Sequence, residues 1–150
     1  MFRKELGMYL QQIRCQDLMK KKKIILLIVV VIFVGFLILL NYLNDLNNYK
    51  EKIASTRISP LDFREIPDGV YVGDYDVDFI YAKVEVTVKN GQVTDIKLLE
   101  HKNGRGQKAE KIVEDIKAAQ SLEVDTVSGA TNSSVVIKKA IENALINAVH

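Results

Sequence analysis

Four consecutive lysines, Lys20 to Lys23, are followed by IILLIVVVIFVGFLILL, Ile24 to Leu40, a run with no charged residue and a single glycine. Extended through Asn41, Tyr42 and Leu43 it covers twenty residues. As a helix rising about 1.5 Å per residue, that length is about 30 Å, the thickness of a bilayer's hydrocarbon core. In lipid, a lone segment satisfies its own backbone N–H and C=O groups only as a helix. A cleavable secretory signal has a shorter apolar region, roughly 7–15 residues, followed by a small-x-small site. The continuation here, NYLNDLNNYK, offers no such site, and no cysteine follows the run to accept a lipid. The sequence therefore predicts an uncleaved transmembrane anchor over residues 24–43. Lysines on its N-terminal flank, against a near-neutral C-terminal flank, predict a cytoplasmic head, residues 1–23, and an extracytoplasmic body in a single-pass cell-membrane protein. Membrane lipid is then one partner of the chain.

Charge divides along the same boundary. Residues 1–23 carry seven Lys/Arg against Glu5 and Asp17, whereas residues 57–150 carry twelve Lys/Arg against fifteen Asp/Glu. An acidic body lacks the concentrated positive face that nucleic acid requires, so no nucleic-acid partner is expected. The single cysteine, Cys15, falls in the head and rules out a disulfide within one chain. His101 and His150 are the only histidines and neither has a spaced ligand partner, so no metal site is expected. Residues 44–66 are polar with scattered apolar positions and read as a stalk, helical at most in its first half, because Pro60 disfavours helix just before it. The turn signal Pro67-Asp68-Gly69 predicts the start of an ordered domain, residues 67–150.

That domain begins with period-two patterning. GVYVGDYDV, 69–77, is rich in β-branched and aromatic residues, and IYAKVEVTVK, 80–89, alternates Val84, Val86 and Val88 with Lys83, Glu85, Thr87 and Lys89. A third strand, QVTDIKLL, follows Asn90-Gly91. A two-residue loop would set Val86 against Asp95 and Val84 against Lys97. A three-residue loop, Lys89-Asn90-Gly91, pairs Val86 with Thr94 and Val84 with Ile96, and the apolar pattern predicts this second register. Two amphipathic helices come next. Ala109, Ile112, Val113, Ile116 and Ala119 share one face of the first, and Val136, Ile137, Ala140, Ile141, Ala144, Leu145 and Ala148 one face of the second. The predicted class is α+β: a small antiparallel sheet packed against two helices, preceded by one transmembrane helix. Ser121 to Val124 is a candidate for one further short strand.

Between the helices lies DTVSGATNSS, Asp125 to Ser134, which crowds hydroxyls and a glycine against a helix start. One reading is ordinary capping, with Thr131, Asn132 or Ser133 as N-cap and Gly129 permitting the turn. The other is an anion site, because free N–H groups and the positive end of the helix dipole favour a phosphate. Walker, dinucleotide-binding G-x-G-x-x-G and nucleophile-elbow G-x-S-x-G patterns are all absent from the sequence, so no catalytic residue is assigned.

From about Asp68 to the C-terminus the chain resembles the small FMN-binding domain family, which includes the covalently flavinylated subunits of sodium-pumping NADH:quinone reductase and Rnf-type complexes. Three pieces carry the resemblance in order: DGVYVGDYDV, the hairpin VEVTVKNGQVTDIKLLEH, and DTVSGATNSS entering a helix with KKAIENAL. In that family a flavin transferase esterifies the FMN phosphate to the threonine that ends S-G-A-T. The resemblance thus implies FMN, attached covalently at Thr131, with Ser128, Gly129, Ala130, Asn132 and Ser133 around the phosphate and Asp125 in the motif that the transferase reads. It also implies an electron-transfer role rather than a complete enzyme: a flavoprotein relaying electrons between a membrane donor and an extracytoplasmic acceptor. The alternative of a different class is a structural or ligand-sensing module using the same fold without covalent flavin. Many members carry E-T-P-G before the first helix, where this chain has His101-Lys102-Asn103-Gly104-Arg105-Gly106. Arg105 reads as a solvated loop charge before a neutraliser of reduced flavin or phosphate, His101 as a strand-end surface residue before a proton donor, and Tyr71 and Tyr75, which could stack on an isoalloxazine, as core or sheet-surface aromatics.

Overall fold

The structure is a computed structural model that describes residues 2–104 and 106–148; Arg105 and His150 lie outside them. The chain falls into two compact units, Met1–Asn44 and Asp45–His150. A single 54-residue helix, α1 (Phe2–Ser55), begins in the first and ends in the second. Its part from Lys20 onward is long and apolar enough to cross a membrane. The side chains from Ile24 to Leu40 are exposed, as they must be where lipid rather than protein is to cover them.

The second unit is the predicted α+β layer structure. Strands β1 (Gly69–Asp76), β2 (Tyr81–Lys89) and β3 (Gln92–Lys102) form an antiparallel meander in the order β1-β2-β3. Helix α3 (Thr131–Ile146) lies across β1 and β2, and α2 (Ile112–Ala119), entered through a 3-10 turn at Gln107–Lys111, lies against β3. Ala82, Val84, Val86 and Val88 of the central strand are fully buried, as are Val136, Ile137, Ala140, Ile141, Ala144 and Leu145 of α3. Burial of each valine contributes about 2 kcal/mol. Ala109, Ile112, Val113 and Ile116 are buried as predicted, but Ala119 is exposed because α2 ends there, at Gln120 in the left-handed conformation.

The segment read as stalk supplies part of this core. Phe63 and Ile66, on either side of the end of a 3-10 turn (Phe63–Glu65), are buried, and Ile53, Ile58 and Leu61 pack against the same cluster. The buried carboxylate of Glu142 accepts hydrogen bonds from the Ser59 N–H (3.1 Å) and Lys139 Nζ (2.7 Å), which fastens this segment to α3. Asp62 caps the 3-10 turn and is gripped by Arg64 through its guanidinium and its N–H. The guanidinium hydrogen bond chiefly, and the N–H second, lower the Asp62 carboxyl from its usual 3.8 to about 2. A depressed carboxylate contributes stability above its unfolded value and loses it as pH falls through about 2. NMR titration of the Asp62 carboxyl should therefore show a midpoint near 2 that rises toward 3.8 in Arg64→Gln.

The hairpin differs from the three-residue expectation. Asn90 and Gly91 both have positive φ (53° and 68°), the signature of a two-residue primed turn, and Lys89 pairs with Gln92. The apolar register is restored by a bulge. Thr94 is the extra residue between the Val88–Val93 and Thr87–Asp95 pairs, and its hydroxyl donates to the Thr87 carbonyl at 3.2 Å. Val86 consequently faces Ile96, and Val84 faces Leu98. A second register shift, at Leu99, sets His101 opposite Ala82. No strand forms at Ser121–Val124. The edge of β3 is met instead by the Gln120 side chain, whose Oε1 accepts from the Val93 N–H and whose Nε2 donates to the Val93 carbonyl. One side-chain amide thus takes the backbone groups that a fourth strand would have used.

Candidate functional site

The DTVSGATNSS stretch folds into a tight turn that leads directly into α3. The Ala130 N–H donates to the Val127 carbonyl at 2.9 Å, closing a turn that Gly129 completes with φ of +77°, a value side chains disfavour. Ala130 is the N-cap, and no side chain caps the helix. The expected caps Thr131, Asn132 and Ser133 are instead the first three helical residues. The hydroxyl that secures the turn belongs to Ser134, which donates to the Ala130 carbonyl (3.0 Å) and accepts from the Val127 N–H (3.1 Å).

This arrangement leaves the N–H groups of Thr131, Asn132 and Ser133 without intrahelical acceptors, as at any helix start. Among the described residues they donate no hydrogen bond, and the first turn of α3 carries no carboxylate. Thr131 is exposed at the first helical position. Ser133 is buried, with its Oγ so close to the α-carbon of Gly106 that a β-carbon there would overlap it. A hollow of about 320 Å³ opens on this helix start, lined by Gly129, Ala130, Thr131, Asn132 and Ser133 together with Tyr49, Ile80 and Gly106.

The remaining predicted site residues lie to one side. Ser128 is exposed on the turn and does not line the hollow. Asp125 is exposed upstream, where its charge acts on Lys138. Burial holds the Lys138 ammonium below the usual lysine range, and Asp125 and Glu123 offset part of that effect. Its Nζ donates to the Val124 carbonyl at 2.8 Å, so Lys138 fixes the approach to the turn. Tyr71 and Tyr75 are half-buried and bond to the Pro67 carbonyl and the Thr56 hydroxyl, away from the hollow.

His101 is not a surface residue: its side chain is 3% exposed. The register shift at Leu99 turns it onto the inner face of the sheet, and Ala82 opposite leaves it room. Its Nδ1 lies 3.1 Å from both Glu110 Oε1 and Asn103 Nδ2, tying the β3–α2 loop that carries Gly106.

Tyr49, Ile80 and Gly106 are the lining residues that sequence reasoning did not select. Gly106 falls in the loop where the family pattern departs, whereas Tyr49 gave no signal within a polar stretch.

The residues present fit a phosphate ester. They offer a set of N–H donors at the positive end of a helix, no carboxylate in the first turn to repel an anion, a hydroxyl able to carry an ester, and space for the ester's organic part. Comparison with curated proteins and with solved structures gives no match. A family model described as FMN-binding domain matches residues 81–146, from the first residue of β2 to the last of α3, and so includes Gly106 and the whole turn. Over that span the chain is similar to the FMN-binding domain family, the family that the sequence resembles.

Proposed function

We propose that this chain is a membrane-anchored flavin carrier in which FMN is held by a phosphoester to Thr131 Oγ1 and electrons pass between a membrane donor and an extracytoplasmic acceptor. The observation that carries the reading is the hydroxyl of the exposed Thr131 on a helix start whose N–H groups have no partner among the described residues, facing a hollow, in a span similar to the FMN-binding domain family. A phosphodiester keeps one negative charge, which the N–H groups of Thr131, Asn132 and Ser133 and the helix dipole stabilise without a lysine. Gly129 and Ala130 place no bulk over that position. Bound FMN supplies one- and two-electron transfer, while protein groups hold it and tune its potential.

Other features support the remaining parts of the reading. The lysines before the apolar run favour an N-terminus in the cytoplasm and a domain on the far side of the membrane. Covalent attachment is useful there, because cofactor lost by dissociation would not be replenished. A flavin transferase is the partner that such an ester requires. Intact mass of the full chain, produced with a flavin transferase, should exceed the sequence mass by one FMN less one water. A chain that stays at its sequence mass while a known substrate of the same transferase is modified would overturn the covalent assignment.

A further inference from the structure

Tyr49 belongs to α1 yet lines the hollow at Thr131. Its hydroxyl accepts a hydrogen bond from Asn132 Nδ2 at 2.8 Å, 83 residues away in sequence and one residue beyond Thr131. Its ring meets Phe79 edge to face, with centroids 5.4 Å apart and planes at 77°. The segment around Tyr49 is fastened to the folded unit at several points: Lys52 to Asp78 at 2.9 Å, the Thr56 hydroxyl to the Tyr75 hydroxyl at 2.8 Å, and Ile53 packed against the core. Tyr49 is therefore a fixed wall of the hollow. The lining is of two kinds: the amides and hydroxyl of the helix start, and the aromatic and branched aliphatic side chains of Tyr49 and Ile80.

FMN has the same division, a phosphate at one end of a ribityl chain and a flat apolar ring system at the other. Flat conjugated rings favour aromatic and aliphatic walls, and Tyr49 is the only aromatic among the described residues that line this hollow. We propose that Tyr49 is the contact for the flavin ring: with the phosphate fixed at Thr131, the isoalloxazine lies against the phenol of Tyr49. This inference rests on the reading that FMN is carried at Thr131. It assigns a cofactor contact to the helix that also contains the membrane-length apolar run, outside the residues matched to the family.

Flavin fluorescence tests the contact. A phenol touching a photoexcited flavin lends it one electron and recovers that electron on recombination, so emission is quenched with no net chemistry. Phenylalanine keeps the ring but cannot donate in this way. In full-length, fully flavinylated protein, Tyr49→Phe should raise fluorescence yield and lifetime several-fold, with intact mass still showing one FMN. Tyr75→Phe, which also removes a bonded hydroxyl but lies outside the hollow, should leave both unchanged. Unchanged lifetime in flavinylated Tyr49→Phe, or an equal rise in Tyr75→Phe, overturns the ring contact while leaving the Thr131 linkage intact. Absence of any FMN adduct in the unsubstituted chain overturns the linkage, and the ring contact with it.

Discussion

Thr131→Ala is expected to abolish covalent flavin completely while leaving the domain folded. The two halves of that expectation have separate grounds. Attachment needs an oxygen nucleophile at the helix start, and of the hydroxyl-bearing residues in the motif only Thr131 is both exposed and part of the hollow. Thr126 and Ser128 are exposed but off the hollow, Ser133 is buried against Gly106, and Ser134 is engaged on both sides in closing the turn. Folding should survive because Thr131 makes no side-chain hydrogen bond among the described residues and is not the N-cap, so its replacement falls within about 0.5 kcal/mol of neutral. Thr131→Ser restores the hydroxyl at the same position and should restore the adduct at least in part. In-gel flavin fluorescence after denaturation, with unfolding curves of the full chain alongside, reads both halves. A fluorescent band that persists in Thr131→Ala would move the anchor elsewhere. The helix amides survive that substitution, so FMN added to the native variant should still bind reversibly and be lost on gel filtration.

Much of this site was legible because its chemistry is local. The S-G-A-T turn and the helix that follows are contiguous, and period-two patterning marked Val84, Val86 and Val88 as core. Register was harder. Apolar alternation shows that the hairpin must be adjusted by one residue but not whether a longer turn or a bulge does so; Asn90-Gly91 closed the primed turn and Thr94 absorbed the extra residue. The burial of His101 followed from a second such adjustment, at Leu99. Capping was misread for a related reason: Ser134, a full turn into α3, reaches back to the turn, so Ala130 serves as N-cap without a hydroxyl. Tyr49 was the least legible. A tyrosine among asparagines and lysines has no periodic signature, and only the tertiary fold brings it to Asn132. Local signals thus located the anchoring residues of the hollow, and long-range contacts brought Tyr49 to them.

Helix α3 carries the anchor and bonds Tyr49 through Asn132, so the second large effect is expected at Gly73, where β1 meets that helix. A β-carbon at Gly73 would lie 2.3 Å from the Ala144 nitrogen, 2.5 Å from the Ala140 carbonyl oxygen and 2.7 Å from the Ala144 α-carbon. All three are backbone atoms of α3, so no side-chain rotation relieves the overlap. The small side chains of Ala140 and Ala144, both fully buried, have already brought helix and strand as close as the sequence permits. Gly73→Ala must push α3 away from β1, opening gaps beside Ile141 and Leu145. Overpacking of this kind costs about 3 kcal/mol, a large share of the roughly 5–15 kcal/mol that holds a domain together. At about 4–8 °C per kcal/mol for a unit of this size, the midpoint of thermal unfolding should fall on the order of 15 °C. Gly104→Ala supplies the contrast: nothing lies within 4 Å of a β-carbon there, and its midpoint should stay close to that of the unsubstituted chain. Flavin loading should decline in Gly73→Ala as well, because the displaced helix also carries Thr131 and Asn132. An unchanged unfolding midpoint in Gly73→Ala, read by tyrosine fluorescence of the full chain, would mean that α3 does not lie this close to β1, and the placement of the hollow's walls would need revision.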